Sequence, residues 1–346
     1  MKKYMLFGIL ALVLQLSQAQ TSAIKLGAYY FDGWKKGSKH VTKALVDSFP
    51  ERKPVWGWVT STPEAVKSQI DLASNAGISF FSFCWYYAKS NPDAGNQALS
   101  YYLDAPNKSA LQFNLMVVNH EGFTIRPEDW PDLIPQWIKL FKDPQYLKIQ
   151  RKPYIAFFSI NSLVKAFGSA EAVNKAFDEL RSAAKTAGFS GVEIGGCPSP
   201  DTRSIALAQN CGFDILTGYN YPGVGLKDTK TPINSLIDRY SWTWKQFENS
   251  HLPYIPVATL NWDNRPWRTG DDEKKARHFV GYSSASVYQS VKALKTWLDA
   301  NPDKTTKERI ALLYAWNEYG EGAWLTPSAN SKDNLLDGVK KAMNKN

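Results

Sequence analysis

Eight short runs rich in Val, Ile, Phe and Tyr recur along this chain, and an amphipathic stretch follows each one. The runs fall at 25–30, 79–85, 112–118, 154–158, 192–195, 214–218, 255–259 and 310–315. Most are apolar throughout rather than alternating, the pattern of parallel strands covered on both faces. The stretches between them predict helices at 63–75, 96–103, 130–142, 170–187, 203–210, 233–249, 286–300 and 334–343. Pro63 sits at a helix start behind Thr60, Ser61 and Thr62 as candidate caps. Ala187-Gly188 ends a helix just before a strand. About eight strand–helix units in 346 residues predict an α/β fold, a single-domain (β/α)8 TIM barrel. No GxGxxG follows the first run, which argues against a dinucleotide-binding sheet. The glycine-rich segment Gly218 to Gly225 follows a late strand and contains Pro222, so it reads as a loop.

The first nineteen residues stand apart from this pattern. Lys2 and Lys3, then the apolar run Leu6 to Leu16, then Ser17-Gln18-Ala19 match a signal peptide cleaved before Gln20. A membrane anchor is the competing reading, but the apolar run is short for a span. The expectation is an exported protein, periplasmic or secreted, with 20–346 as its catalytic domain. The three cysteines, Cys84, Cys197 and Cys211, are an odd count, which argues against a disulfide framework. Buried free thiols are the better reading, with a Cys197–Cys211 pair as the alternative. No His or Cys spacing matches a metal site, so neither a metal nor a cofactor is expected. The net charge of +9 comes from Lys and Arg scattered along amphipathic stretches such as 139–152 and 292–307. Solvated helix faces account for them without a nucleic-acid partner. A monomer is expected.

In such barrels the chemistry sits in loops at the C-terminal ends of the strands. The residues following each run are Tyr29, Tyr30 and Asp32; Trp85, Tyr86 and Tyr87; Asn119, His120 and Glu121; Tyr219, Asn220 and Tyr221; Asn261, Trp262, Asp263, Arg265 and Trp267; and Trp316, Asn317, Glu318, Tyr319, Glu321 and Trp324. Aromatics, amides and carboxylates thus converge on one rim, the composition of a sugar pocket. Candidate binding residues are Tyr30, Asp32, Trp85, Glu121, Tyr219, Asn220, Tyr221, Asn261, Trp262, Asn317 and Trp324. Tyr29 and Tyr30 alternate in direction, so at most one faces the pocket. Asp32 reads equally as a sugar ligand or a turn cap, and Glu121 as a ligand or a loop carboxylate. Asp263 and Arg265 read as an ion pair shaping the rim, and His120 as a satisfied histidine beside the core, with donation to substrate as the alternative.

The sharpest feature is the last of these segments, with Glu318 and Glu321 separated by Tyr319-Gly320 and followed by Gly322. Residues three apart on a straight strand face opposite ways. The two glycines permit a turn that brings both carboxyls into one pocket. Glycoside chemistry commonly uses two carboxyl groups of different pKa. On spacing alone, a catalytic pair and a plain loop carboxylate weigh equally.

The segment Asn317-Glu318-Tyr319-Gly320-Glu321-Gly322, with Pro327 after it, resembles the Asn-Glu-Trp-x-Glu-Gly segment of family 99 glycoside hydrolases and of the related WbsX-like proteins, often labelled glycosyltransferases. Asp143-Pro144-Gln145-Tyr146-Leu147, Arg151-Lys152-Pro153-Tyr154, Trp262-Asp263-Asn264-Arg265-Pro266 and Gly27-Ala28-Tyr29-Tyr30 resemble further islands of that family, in the same order. The resemblance implies a retaining mechanism related to endo-α-mannosidases. Glu318 would be a base toward the substrate's own 2-hydroxyl, giving a 1,2-anhydro sugar. Glu321 would protonate the leaving oxygen and then activate water. Two departures stand out: Tyr319 replaces the motif's Trp, and Gly320 lies where endo-mannosidases have His. The expected partner is an oligo- or polysaccharide, α-mannan-like if the resemblance extends to substrate. Three readings compete: an exported glycoside hydrolase, a glycosyltransferase, and a non-catalytic glycan-binding barrel. Export favours the first, because nucleotide-sugar donors are cytoplasmic. The presence of both motif carboxylates weighs against the third.

Overall fold

The structure is a computed structural model that describes residues 23–87, 89 and 95–344. The expected signal peptide lies outside the described residues. At the centre stand eight parallel strands: β1 (Lys25–Tyr30), β2 (Phe80–Trp85), β3 (Gln112–Val117), β4 (Lys152–Phe157), β5 (Glu193–Gly196), β6 (Ile215–Leu216), β7 (Val257–Thr259) and β8 (Ile310–Tyr314). Their hydrogen-bonded order is β6-β5-β4-β3-β2-β1-β8-β7. The two ends of that curled sheet meet through one parallel bridge, Leu216 to Tyr254. There the Ile255 amide donates to the Leu216 carbonyl at 2.8 Å and the Thr217 hydroxyl donates to the Ile255 carbonyl at 3.1 Å. The architecture is therefore the single-domain (β/α)8 barrel expected from the alternation.

The helices among the described residues that lead between the strands or close the chain include α1 (Pro63–Asn75), α2 (Gln97–Asp104), α3 (Trp130–Phe141), α4 (Ala170–Thr186), α5 (Thr202–Asn210), α6 (Tyr240–Lys245), α7 (Ser284–Ala300) and α8 (Leu335–Met343). Their starts follow cap chemistry. The Thr62, Ser169 and Asp201 side chains accept from Ala65, Ala172 and Ser204 amides, and Ser283 forms a reciprocal box with Ser286. α3 buries Trp130, Leu133, Trp137 and Phe141 on one face and keeps Pro135 on its solvent side, where the lost hydrogen bond faces water.

Two elements differ from expectation. The predicted helix 233–249 is broken into Asn234–Ile237 and α6. The run Tyr240-Ser-Trp-Thr-Trp is poor in strong helix formers. Its rings are tied to the sheet instead, with the Tyr240 hydroxyl donating to the Thr259 carbonyl at 2.7 Å and the Trp244 indole to Val257 at 3.0 Å. The predicted strand 255–259 begins only at Val257, because Pro256 brings no amide to the ladder.

Side chains alternate along each strand between two apolar layers. Tyr29, Phe80, Met116, Tyr154, Leu312 and Tyr314 fill the barrel interior. Tyr30, Phe81, Phe83, Trp85 and Trp316 pack outward against the helices. The interior is thus plugged, and the chemistry open to a ligand lies at its mouth.

Candidate active site

Just past β8 the chain makes a small hairpin. Asn317–Glu318 pairs antiparallel with Ala323–Trp324, and Tyr319–Glu321 forms a 3-10 turn between them. Gly322 takes φ +76°, a left-handed conformation that costs a glycine little and closes the turn. The hairpin is tied down on every side. The Asn317 side chain accepts from the Phe31 amide and donates to the Phe31 carbonyl, both at 2.8 Å. The Trp34 indole donates to the Asn317 carbonyl at 2.6 Å, and the Asn261 amide to the Gly322 carbonyl at 2.6 Å. Arg52, 2% exposed, donates from Nη1 to the carbonyls of Tyr319 and Asp263 at 3.0 Å each and pairs through Nη2 with the Asp263 carboxylate. The Asp263 amide in turn donates to the Glu321 carbonyl at 2.7 Å. Asp263 also binds Arg265 through two 2.8 Å contacts. Burial alone would raise the Asp263 carboxyl, but the Arg265 hydrogen bonds and the Arg52 charge outweigh it and hold the group below its usual value.

This scaffold presents Glu318 and Glu321 to one cavity of about 670 Å³, lined mainly by apolar surface. Glu318 is 2% exposed, and its Oε1 has no hydrogen-bond partner among the described residues. Glu321 accepts from the Tyr314 hydroxyl. Burial pushes the Glu318 carboxyl well above the ordinary value and the Glu321 carboxyl up to about 8. An unfavourably solvated carboxylate pair holds at least one proton at neutral pH, the requirement for a group that must donate one.

The remaining candidates separate into two groups. Asp32 and Tyr219 line the cavity with the two glutamates. Asp32 is 2% exposed; it accepts from the Ser61 hydroxyl and, at 2.8 Å, from the Ala98 amide at the start of α2. Tyr219 is wedged among Tyr29, Tyr314 and Phe158, with ring centroids 4.9, 4.8 and 5.2 Å away, and its hydroxyl meets the Cys84 thiol at 3.5 Å. Tyr30 lies outside the cavity wall because strand alternation turns it into the helix-facing layer, against Phe81 and Phe83. The same alternation sends Trp85 outward onto Trp137 and Tyr87. The Asn317 side chain is spent on the Phe31 backbone, and the Asn261 side-chain NH2 on the Gly322 carbonyl of the hairpin. Trp324 is 8% exposed beneath it, with its carbonyl taken by Tyr282 at 2.5 Å. The Tyr221 hydroxyl meets that of Tyr254 at 3.0 Å, below the rim. Glu121 is exposed, and neither it nor Asn220 lines the cavity. Trp262 lines a separate depression of about 380 Å³ beside the mouth.

The cavity also recruits residues that strand ends alone do not single out. Phe31, Lys35, Lys39 and His40 come from segment 31–62, a long connection after β1, and Phe158 joins them; Tyr86 and His120, from the ends of β2 and β3, complete the wall, so His120 lies at the cavity rather than beside the core. The length of that segment was the available signal, since long loops in compact domains usually serve a site. Trp267 forms part of the rim at 39% exposure. Its indole lies on Gly320 so closely that a Cβ there would sit 2.4 Å from the ring. The glycine between the two glutamates therefore makes room for an aromatic face.

A family model described as glycosyltransferase WbsX matches residues 58–339, most of the chain and all of this site except the 31–40 segment. The chain belongs to the WbsX family. It is 21% identical over 310 residues to the uncharacterized protein WxcX of Xanthomonas campestris pv. campestris, covering 82% of this chain and 41% of that protein. The chain thus spans less than half the length of that relative. Among solved structures, a glycoside hydrolase-like protein superposes with TM-score 0.65 at 13% identity, covering 94% of this chain and 95% of the other. The GH99 endo-alpha-mannosidase from Bacteroides thetaiotaomicron superposes with TM-score 0.62 at 14% identity, covering 92% and 95%. At these identities the likeness is one of fold. The WbsX barrel is thereby a glycoside-hydrolase-like one.

Proposed function

We propose that this WbsX-family protein is an exported glycoside hydrolase that cleaves an oligo- or polysaccharide with retention, using Glu318 and Glu321. The observation that carries the reading is the pairing of a half-buried carboxyl, displaced to about 8, with a buried one whose Oε1 has no partner among the described residues, both in one aromatic-walled cavity. Glu321 holds the proton that the leaving oxygen needs. Glu318 is raised by burial in the free protein, and a donor to its Oε1 would favour the ionised form. A sugar 2-hydroxyl is such a donor. Glu318 then takes that hydroxyl's proton, O2 attacks C1, the glycosidic C1–O bond breaks, and the leaving oxygen takes the Glu321 proton. Water next attacks C1 of the 1,2-anhydro sugar, yielding its proton to Glu321, while O2 recovers a proton from Glu318. Two inversions at C1 give net retention, with no protein nucleophile. Trp267 and Tyr219 offer ring faces for the apolar side of a sugar.

The family's description favours a second reading, transfer from an activated sugar. Incubation with α-mannans and a panel of polysaccharides, with product anomers followed by NMR, separates the two. Hydrolysis with a first-formed product of retained configuration is expected. Glu318→Gln and Glu321→Gln should each reduce it by about 10²–10⁴-fold while glycan binding survives. Sugar transfer from a nucleotide donor, with no polysaccharide cleaved, would overturn the proposal.

A further inference from the structure

The wall of the cavity opposite in sign to the two glutamates has no part in the scheme above. Lys35, Lys39 and His40 all line it, and they come from one short stretch after β1. Lys35 is half-buried and Lys39 exposed, and neither is in an ion pair among the described residues. Several cations elsewhere are paired, as in Lys108–Asp143, Lys152–Glu193 and Arg309–Asp299. The three groups feel one another: burial first, then the charges of Lys39 and Lys35, hold the His40 ring below its ordinary pKa. Like charges crowded at a cavity wall repel, and an anion between them relieves the repulsion. The acids lining the same cavity offer partial relief. Asp32 feels the Lys35 charge but accepts from Ser61 and the Ala98 amide and is buried, and burial disfavours charge on Glu318 and Glu321. The basic character continues outside, where Arg268, Lys275 and Arg277 line the depression under Trp262 against a single acid, Asp272. The chain as a whole carries +9.

We propose that the substrate is an anionic glycan, whose charged substituent, a carboxylate or a sulfate or phosphate ester, seats against Lys35, Lys39 and His40 in the catalytic cavity. The inference rests on the glycan-cleaving reading for its location, and its test is made by binding so that the two can fail separately. The Glu321→Gln protein is titrated with yeast α-mannan and with the same mannan chemically sulfated. Polygalacturonate and a phosphomannan supply the carboxylate and phosphate arms. One anionic probe should bind more tightly than neutral mannan, with affinity falling as salt rises. Lys35→Ala/Lys39→Ala should cost that probe about tenfold or more, the loss expected of two charge-assisted contacts. Lys35→Arg/Lys39→Arg should restore most of it. A control pair on the outer face of α4, Lys175→Ala/Lys185→Ala, should leave it unchanged, which separates a seated group from general polyelectrolyte attraction. Equal affinity for neutral and anionic probes, or equal losses from the loop pair and the control pair, would overturn the proposal. Anionic binding without cleavage would sink the hydrolase reading alone, and cleavage of neutral mannan without anionic preference would sink this one alone.

Discussion

The displaced carboxyl of Glu321 has two consequences that can be read independently. The proposed scheme needs its proton, so under that scheme kcat/KM should be sustained below pH about 8 and fall as pH rises through it. A basic limb that persists in Glu321→Gln would show that another group titrates there. The same displacement acts on stability. A carboxyl with a folded-state pKa raised above its unfolded value stabilises the fold only while it is protonated. That contribution is complete below the ordinary carboxyl pKa and is lost as pH rises toward 8. At neutral pH the wild-type protein therefore carries a cost that glutamine lacks, and Glu321→Gln should gain on the order of 1–3 kcal/mol in denaturant unfolding at pH 7. The gain should vanish near pH 4, and a variant less stable at both pH values would contradict the argument. Arg52 is the opposite kind of residue, a buried cation with Asp263 and two carbonyls as partners. Arg52→Met should cost about 2–4 kcal/mol, because it leaves the Tyr319 and Asp263 carbonyls without their donor and Asp263 with Arg265 as its remaining ion partner. Thermal melts of the variant would check it.

At the scale of elements, the hairpin 317–324 was legible in part. The two glycines pointed to a turn, and the turn places both glutamates on one cavity. The bracing was not legible, because Arg52, Trp34 and Asn261 lie far away in sequence and nothing local marks them as partners of the hairpin. Likewise Asn317 and Trp324 sit inside the sharpest motif, yet one bonds Phe31 and the other supports the hairpin from below. A motif shows which residues travel together, not which of them face the ligand. Strand periodicity would have removed Tyr30 and Trp85 from the pocket had it been carried one step further, since each lies one residue out of phase with the cavity. The contact of Gly320 with Trp267 yields the prediction at this scale. Gly320→Ala places a methyl group where the indole lies and should displace Trp267, raising KM by about tenfold through the lost stacking face while kcat changes little. A Trp267→Ala/Gly320→Ala double variant should be no worse than Trp267→Ala alone. Additive losses would mean that the glycine serves another purpose.

For the whole molecule, the alternation of apolar runs and amphipathic stretches carried the fold, because a parallel barrel repeats one local pattern eight times. What it could not carry was any unit whose local pattern is weak. The helix predicted at 233–249 is broken because aromatic side chains anchor it to β7 rather than to its own turns. No helix among the described residues is long and apolar enough to cross a membrane.

The seam between β6 and β7 has a meaning beyond topology. Seven neighbours in the ring are joined by ladders, whereas this pair is joined by the single bridge at Leu216 and Tyr254. A hoop fastened weakly at one place yields there first. Amides of Leu216 and Ile255 should exchange with deuterium faster than those of β1, β2 and β3, and uniform protection around the ring would refute this. Tyr219 stands three residues beyond the weak joint. The ring's slowest breathing would thus be felt at the tyrosine that lines the cavity of Glu318 and Glu321, so under the proposed function the pace of product escape and the lifetime of the fold would be set by the same hinge.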